Sequence, residues 1–140
     1  MLKPVNVGIC GLGTVASGTV NILLRNAAII NARAGSELQI IHIGARRDNA
    51  RCDTSGLRVS RDIFEVVDNA EVDIVVELIG GTTVAKDLVL KAIANGKHVV
   101  TANKALIAHH GNEIFAAARE KGVTVAFEAA VAGGIPIIKA

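Results

Sequence analysis

The chain has 140 residues, of which 51% are hydrophobic and 20% are charged. This composition supplies a core of ordinary domain size and excludes a largely disordered chain. The net charge of +2 is scattered apart from a small cluster at Arg46, Arg47 and Arg51, so we expect no nucleic-acid partner. We expect no secretion signal, because the N-terminus lacks the apolar core and cleavage site of one. We expect no membrane span, because no apolar stretch is long enough to cross a bilayer.

The core is expected to be aliphatic. Aromatic residues make up only 2% of the chain, and Trp and Tyr are absent. Val, Ile, Leu and Ala must therefore fill the interior, which is typical of strands buried between helices and favours the α/β class. The cysteines, Cys10 and Cys52, fit no metal-binding spacing, so we expect inert reduced thiols and a cytoplasmic protein.

Strand and helix patterns alternate along the chain. A helix is expected after the glycine-rich turn, where Val15, Val20, Leu23 and Leu24 share one face. Ser60 is expected to cap the next helix, which would continue to about Asn69. The pattern predicts strands at 5–10, 38–44, 57–59, 72–79, 98–101 and 123–127, a helix at 103–121 ended by Gly122, and an earlier helix closed by Asn95-Gly96 whose apolar face carries Val84, Leu88, Val89, Ala92 and Ile93. This order predicts a Rossmann-type, doubly wound, mostly parallel sheet with helices on both faces.

The segment GICGLGTVASG, residues 8–18, fits the dinucleotide fingerprint G-x-G-x-x-G/A at Gly11, Gly13 and Ala16. Gly11 would form the tight turn, Gly13 would leave room for the pyrophosphate, and Ala16 would let the following helix pack closely on the sheet. The amide groups at that helix N-terminus would attract phosphates. A purely structural turn is the alternative. Further backbone contacts to the pyrophosphate are expected from Leu12, Thr14 and Val15.

The end of the second strand favours NADP over NAD. In NAD-binding proteins an acidic residue here binds the ribose hydroxyls, whereas this chain has Arg46 and Arg47 before its first acid, Asp48. Guanidinium groups can pair with a 2′-phosphate through charged, bidentate hydrogen bonds. The alternative is that both arginines belong to a solvated loop.

Three later segments are more specific: VVELIGG at 75–81, GKHVVTANKALIA at 96–108 and FEAAVAGGIPII at 127–138. Together with GLGTVASG, they resemble the NAD(P)-binding domain of homoserine dehydrogenase over essentially the whole chain. The resemblance implies NAD(P)-dependent interconversion of L-homoserine and L-aspartate 4-semialdehyde, a step toward threonine, isoleucine and methionine.

The resemblance also implies a domain division. Residues 1–128 would form the Rossmann domain, and residues 129–140 would begin the hinge into a substrate-binding and dimerisation domain. That domain would carry the principal acid/base lysine and an aspartate, so this chain alone is expected to bind cofactor with little turnover. The full enzyme is expected to be a homo-oligomer acting on a small-molecule substrate.

Two sites follow from the resemblance. Lys104 would contact the cofactor and support catalysis, although a lysine that opens a helix is more often a surface residue. Glu128 would form a sodium-type site with the backbone oxygens of Val131, Gly133 and Ile135, and the alternative is a structural role in a helix cap or in the hinge. Thr82 would either approach the nicotinamide or cap its helix.

Other interpretations stay open at this stage. The chain could be a stand-alone NADP(H)-binding sensor or interaction module, and TANKAL argues against another amino-acid dehydrogenase. Glu77 needs a hydrogen-bonding partner inside its strand, whether ligand or backbone, because burying an isolated carboxylate is costly. His109 and His110 are adjacent and do not face each other on a helix, so we expect them at its surface.

Overall fold

The computed structural model describes residues 4–11, 38–46 and 57–127. These residues form one sheet of six strands, in the order β3-β2-β1-β4-β5-β6, with every neighbouring pair parallel. Its elements are β1 (Val5–Cys10), β2 (Leu38–Gly44), β3 (Arg58–Ser60), α1 (Phe64–Asp68), β4 (Ile74–Glu77), α2 (Val84–Ala94), β5 (His98–Thr101), α3 (Lys104–Lys121) and β6 (Val125–Phe127). The strand order confirms the predicted Rossmann-type α/β fold. The helix predicted after the glycine-rich turn lies outside the described residues.

The three described helices cover one face of the sheet. The connections from β3 to β4, β4 to β5 and β5 to β6 all cross the sheet in the same direction, so right-handed crossovers place α1, α2 and α3 together. Their core with the strands includes Cys10, Val66, Val75, Leu88, Val99 and Ile114. The opposite face carries a second buried cluster of Val7, Ile9, Ile43, Ala45 and Val76.

Local capping signals mark both ends of α3 and the C-terminal end of α2. Asn103 begins α3, because its side-chain oxygen accepts a hydrogen bond from the Leu106 N–H at 3.0 Å. Gly122 ends α3 with φ +77°, and Gly96 follows α2 with φ +78°. Both glycines adopt the left-handed conformation that closes helices, as the sequence predicted.

Several predicted positions were wrong by a residue or more. The third strand is Arg58–Ser60 rather than 57–59, the fourth is Ile74–Glu77 rather than 72–79, and the last begins at Val125 rather than Val123. Val84 opens α2 and is 46% exposed, so it does not belong to the apolar face of that helix. Buried α2 positions begin one residue later, at Ala85.

Ser60 does not cap a helix. Its hydroxyl lies 2.7 Å from His42 Nε2, and the Asp62 carboxylate instead accepts the Phe64 N–H at the start of α1. Asn69 Oδ1 accepts from the Glu71 N–H, so the Asn69 amide nitrogen donates to His42 Nδ1 at 3.0 Å. His42 Nε2 must therefore carry the proton and donate to Ser60, which excludes a histidine base acting on that serine.

This network makes stability depend on pH. Burial, followed by the charge of Arg58, lowers the pKa of His42 below its ordinary value of 6.5, with Glu65 opposing. His42 therefore binds a proton more readily in the unfolded chain than in the folded one. Its contribution to the free energy of unfolding should be complete above pH 6.5 and should be lost progressively as the pH falls below that value. Denaturant unfolding at several pH values should show a slope of at most about 1.4 kcal/mol per pH unit from this group. His42→Gln should remove that slope, while His109→Gln, on the surface of α3, should retain it.

Candidate dinucleotide-binding site

The carboxyl ends of the strands are aligned in one row across the sheet. Gly44, Cys10, Glu77, Thr101 and Phe127 are register partners in successive strands. The loops that follow these residues therefore begin at the same edge. From β1 the chain adds β2 and β3 on one side of the sheet, and from β4 onward it adds strands on the other side. The switch point therefore lies between β1 and β4, where open α/β sheets bind their ligands.

Gly11 lies at this switch point. Its N–H donates to the Gly44 carbonyl at 2.7 Å, which joins the end of β1 to the end of β2. Its φ is +109°, and a Cβ atom here would lie 2.9 Å from the Leu78 carbonyl oxygen. Glycine is therefore needed both for the backbone conformation and for the close approach of the loop after β4. Gly11 is the residue to which the fingerprint assigned the tight turn, and the rest of that turn lies outside the described residues.

Glu77 is fully buried at the end of β4 and is held by donors on the following loop and on the neighbouring strand β5. Its Oε2 accepts from the N–H groups of Ile79 at 2.9 Å and Gly80 at 3.2 Å. Its Oε1 accepts from the Thr101 hydroxyl at 2.5 Å. The partners that the sequence analysis left open are thus backbone amides and a neighbouring strand.

The loop at 78–83 is shaped by two glycines and tied to α3. Gly80 and Gly81 have φ of +77° and +76°, and the Asn103 amide nitrogen donates to the Gly81 carbonyl at 2.6 Å. Thr82 lies half-buried in this loop. It does not cap α2, because Thr83 occupies the capping position and makes no side-chain capping bond there. That alternative for Thr82 was wrong.

The other predicted cofactor residues divide into two groups. Lys104 is exposed in the first turn of α3, and Arg46 is exposed two residues beyond the end of β2, both on the carboxyl edge of the sheet. The Arg61 guanidinium donates to the Ala45 carbonyl at 3.3 Å and joins the loop after β3 to the same edge. The remaining predicted residues lie outside the described part of the chain. They are the cofactor residues Leu12, Gly13, Thr14, Val15, Ala16 and Arg47, and the cation-site residues Glu128, Val131, Gly133 and Ile135.

Cys10 is next to Glu77 in the row and is inert as a nucleophile. Burial, reinforced by the negative charge of Glu77, raises the pKa of its thiol to about 12. The reactive thiolate is therefore scarce at neutral pH. This agrees with the prediction for Cys10, whereas Cys52 lies outside the described residues.

The described residues offer no alternative metal centre. Across 4–11, 38–46 and 57–127, no three His, Cys, Asp or Glu side chains are grouped so that they could hold an ion. His109 and His110 lie next to each other on α3 with ring centroids 6.3 Å apart. Among the helices of this part of the chain, none is long and apolar enough to cross a membrane.

Sequence reasoning missed the connecting roles of Thr101 and Asn103. Both belong to the TANKAL segment, in which Lys104 alone had been assigned a role. An available signal was the Asn directly before a helical pattern, which is a common N-cap. The bond from Asn103 to Gly81 joins residues 22 positions apart and has no local signature.

The fold and this edge define a Rossmann-type nucleotide-binding domain. Comparison with known proteins shows to which family of nucleotide-binding domains the chain belongs. A family described as "Homoserine dehydrogenase, NAD binding domain" matches residues 11–128. The chain therefore belongs to the homoserine dehydrogenase family, of which it represents the NAD-binding domain.

Individual relatives agree with this assignment. A homoserine dehydrogenase from Pseudomonas aeruginosa is 68% identical over 139 residues, covering 99% of this chain and 32% of its own length. The crystal structure of a homoserine dehydrogenase from Thiobacillus denitrificans has 57% identity and a TM-score of 0.87, covering 97% of this chain and 32% of that one. A hyperthermophilic archaeal homoserine dehydrogenase in complex with NADPH has 25% identity and a TM-score of 0.70, covering 89% and 44%. The chain thus spans about a third of the length of the first two relatives.

Proposed function

We propose that this chain is the cofactor-binding part of an enzyme that transfers hydride between NADP(H) and the L-homoserine/L-aspartate 4-semialdehyde pair. The observation that carries the proposal is Gly11, whose φ of +109° and close approach to Leu78 at the switch point suit the tight turn that the fingerprint assigns to it. The residues at this edge fit a dinucleotide, because Gly11 offers no side chain and Arg46 is exposed beyond β2. When bound, the nicotinamide would supply the hydride acceptor or donor.

The proposed roles of the chain's own residues are those that the motifs assign. Gly11 would form the tight turn, Gly13 would leave room for the pyrophosphate, and backbone groups of residues 12–16 would contact it. Arg46 and Arg47 would pair with the 2′-phosphate of NADP, which the NADPH complex of the archaeal relative also supports. Lys104 would place an ammonium group beside the nicotinamide and substrate, where it would stabilise negative charge on the reacting oxygen. Thr82 would approach the nicotinamide from the loop after β4.

The remaining parts of the proposal concern the whole protein. Residues 1–128 would form the cofactor domain, and 129–140 would lead into a substrate and dimerisation domain of a cytoplasmic homo-oligomer. A sodium ion would bind Glu128 and the backbone oxygens of Val131, Gly133 and Ile135. The limited coverage of the relatives supports this division, because this chain matches only 32% of the Pseudomonas protein.

Titration calorimetry with NADPH and NADH, followed by a homoserine oxidation assay on the complete protein, tests the proposal. We expect saturable NADPH binding and homoserine-dependent reduction of NADP. Binding without turnover in the complete protein would favour a sensor module instead. The absence of binding to either nucleotide would overturn the dinucleotide site itself.

A further inference from the structure

Three residues at the carboxyl edge, Glu77, Thr101 and Asn103, are joined by hydrogen bonds, and we call them the edge clamp. Glu77 and Thr101 are linked through their side chains, and Thr101 is linked to Asn103 through the Asn103 backbone N–H. Thr101 Oγ1 donates to Glu77 Oε1 at 2.5 Å and accepts from the Asn103 N–H at 3.0 Å. Because the hydroxyl oxygen receives the amide proton, its own proton is left for the carboxylate. Glu77 and Thr101 are both fully buried, so the bond between their side chains is shielded from water.

Both ends of the edge clamp hold backbone. At one end, Glu77 Oε2 receives the N–H groups of Ile79 and Gly80. At the other end, the Asn103 side chain receives the Leu106 N–H and donates to the Gly81 carbonyl. The loop at 78–83 is therefore fixed twice, once to β4 and once to the first turn of α3.

The clamped loop needs such support. Gly80 and Gly81 both have left-handed φ values, and in the part of the chain that the structure describes, chain neighbours aside, no atom lies within 4 Å of the position that a Cβ would take at either residue. Packing around these two glycines therefore does little to hold the loop in place. The hydrogen bonds of Glu77 and Asn103 supply what side-chain packing does not.

We propose that the edge clamp is a positioning device that sets the distance between the loop at 78–83 and the start of α3, and thereby orients the nicotinamide half of the cofactor for hydride transfer. This role rests on the proposed function. The loop borders the switch point through the contact of Leu78 with Gly11, and α3 begins with Lys104. Reacting atoms must approach to about 3–3.5 Å, and an error of about 1 Å can cost roughly a hundredfold in rate.

Thr101→Val in the complete enzyme tests the clamp, because valine keeps the shape of threonine and removes only the hydroxyl. We expect kcat to fall by about tenfold to a hundredfold while the cofactor KM changes by less than about threefold. Thr101→Ser, which restores the hydroxyl, should recover most of the lost kcat. Glu77→Gln should resemble Thr101→Val, since an amide cannot accept on both sides.

The matched control is Lys97→Met. Lys97 is buried at the opposite edge of the sheet, where its ammonium donates to the carbonyls of Asn69 and Val72, both at 2.7 Å. Its loss should reduce the melting temperature without lowering kcat at temperatures well below unfolding. Hydrogen exchange gives a readout that needs no cofactor, since Thr101→Val should speed exchange at Ile79, Gly80 and Leu106, and Lys97→Met should not.

The outcomes separate this role from the proposed function. Equal kcat in Thr101→Val, Thr101→Ser and Lys97→Met would overturn the positioning role while leaving the dehydrogenase assignment intact. Unchanged exchange at Ile79 and Gly80 in Thr101→Val would show that the loop does not depend on the clamp, which also overturns it. If the unmodified protein neither binds NADPH nor oxidises homoserine, the proposed function fails first and the positioning role falls with it.

Discussion

Gly11→Ala should lower the free energy of unfolding by about 2–6 kcal/mol and abolish most NADPH binding. Two separate costs contribute to the loss of stability. The φ of +109° is strained for any residue with a Cβ, at about 1–3 kcal/mol. The added methyl would also lie 2.9 Å from the Leu78 carbonyl oxygen and 3.0 Å from its carbon, so backbone must move, at a further 1–3 kcal/mol or so.

Two other glycines separate these costs. Gly122→Ala retains the strained φ of +77° but its methyl meets no atom of the described residues within 4 Å, chain neighbours aside, so it should cost only about 1–2 kcal/mol. Gly111 is buried inside α3 with its nearest prospective contact at 3.4 Å, and Gly111→Ala should be neutral or stabilise by up to about 1 kcal/mol. Denaturant unfolding of the three variants, together with NADPH titration, measures the series.

The relative losses of stability in these three variants, together with NADPH binding, show what the turn at Gly11 does. If Gly11→Ala costs no more than Gly122→Ala, the contact with Leu78 yields easily and the turn is not a tight one. If Gly11→Ala loses stability but binds NADPH normally, the turn is structural only, which was the alternative interpretation of GICGLGTVASG. Weakened binding in a variant that remains folded supports the phosphate-binding role of the turn.

The elements predicted most accurately are those whose ends are determined locally. The strand at 98–101 was predicted to the residue, because a turn precedes it and a polar helix start follows it. The helix at 103–121 was placed within one residue, since Asn103 and Gly122 are capping residues of opposite kinds. In both cases the information lies within a few residues of the boundary.

The error at Ser60 arose because a distant residue competes for a local group. Ser60 has the chemistry of an N-cap, but His42, 18 positions earlier, takes its hydroxyl. Lys97 is 5% exposed, which its sequence neighbours do not suggest, because its partners Asn69 and Val72 come from the connection between α1 and β4. Burial lowers the pKa of this lysine from 10.5, with the carboxylates of Asp73 and Asp68 opposing.

The candidate site likewise contains one feature that the local sequence predicts and one that depends on residues far apart in the chain. The glycine turn was predictable, because the need for a bare backbone at Gly11 follows from the strand-to-helix pattern around it. For Glu77, the sequence indicated that a partner is required but not which one, since Thr101 becomes its neighbour only through the pairing of β4 with β5. The TANKAL segment thus combines one residue proposed to face the ligand, Lys104, with two that hold the loops in place.

Replacing both Arg46 and Arg47 with alanine should weaken NADPH binding by at least about tenfold, or about 1.4 kcal/mol, and change NADH binding by less than about twofold. The 2′-phosphate is the group that distinguishes the two cofactors, and charged hydrogen bonds to guanidinium groups would be lost only with NADPH. Added salt should weaken NADPH binding more in the unmodified protein than in the variant. The charge-matched control is Arg119→Ala with Lys121→Ala, which removes two positive charges from the last turn of α3, and the affinity for either cofactor should be unchanged. Equal losses for NADPH and NADH would refute the 2′-phosphate assignment, and a loss in the control would point to net charge instead.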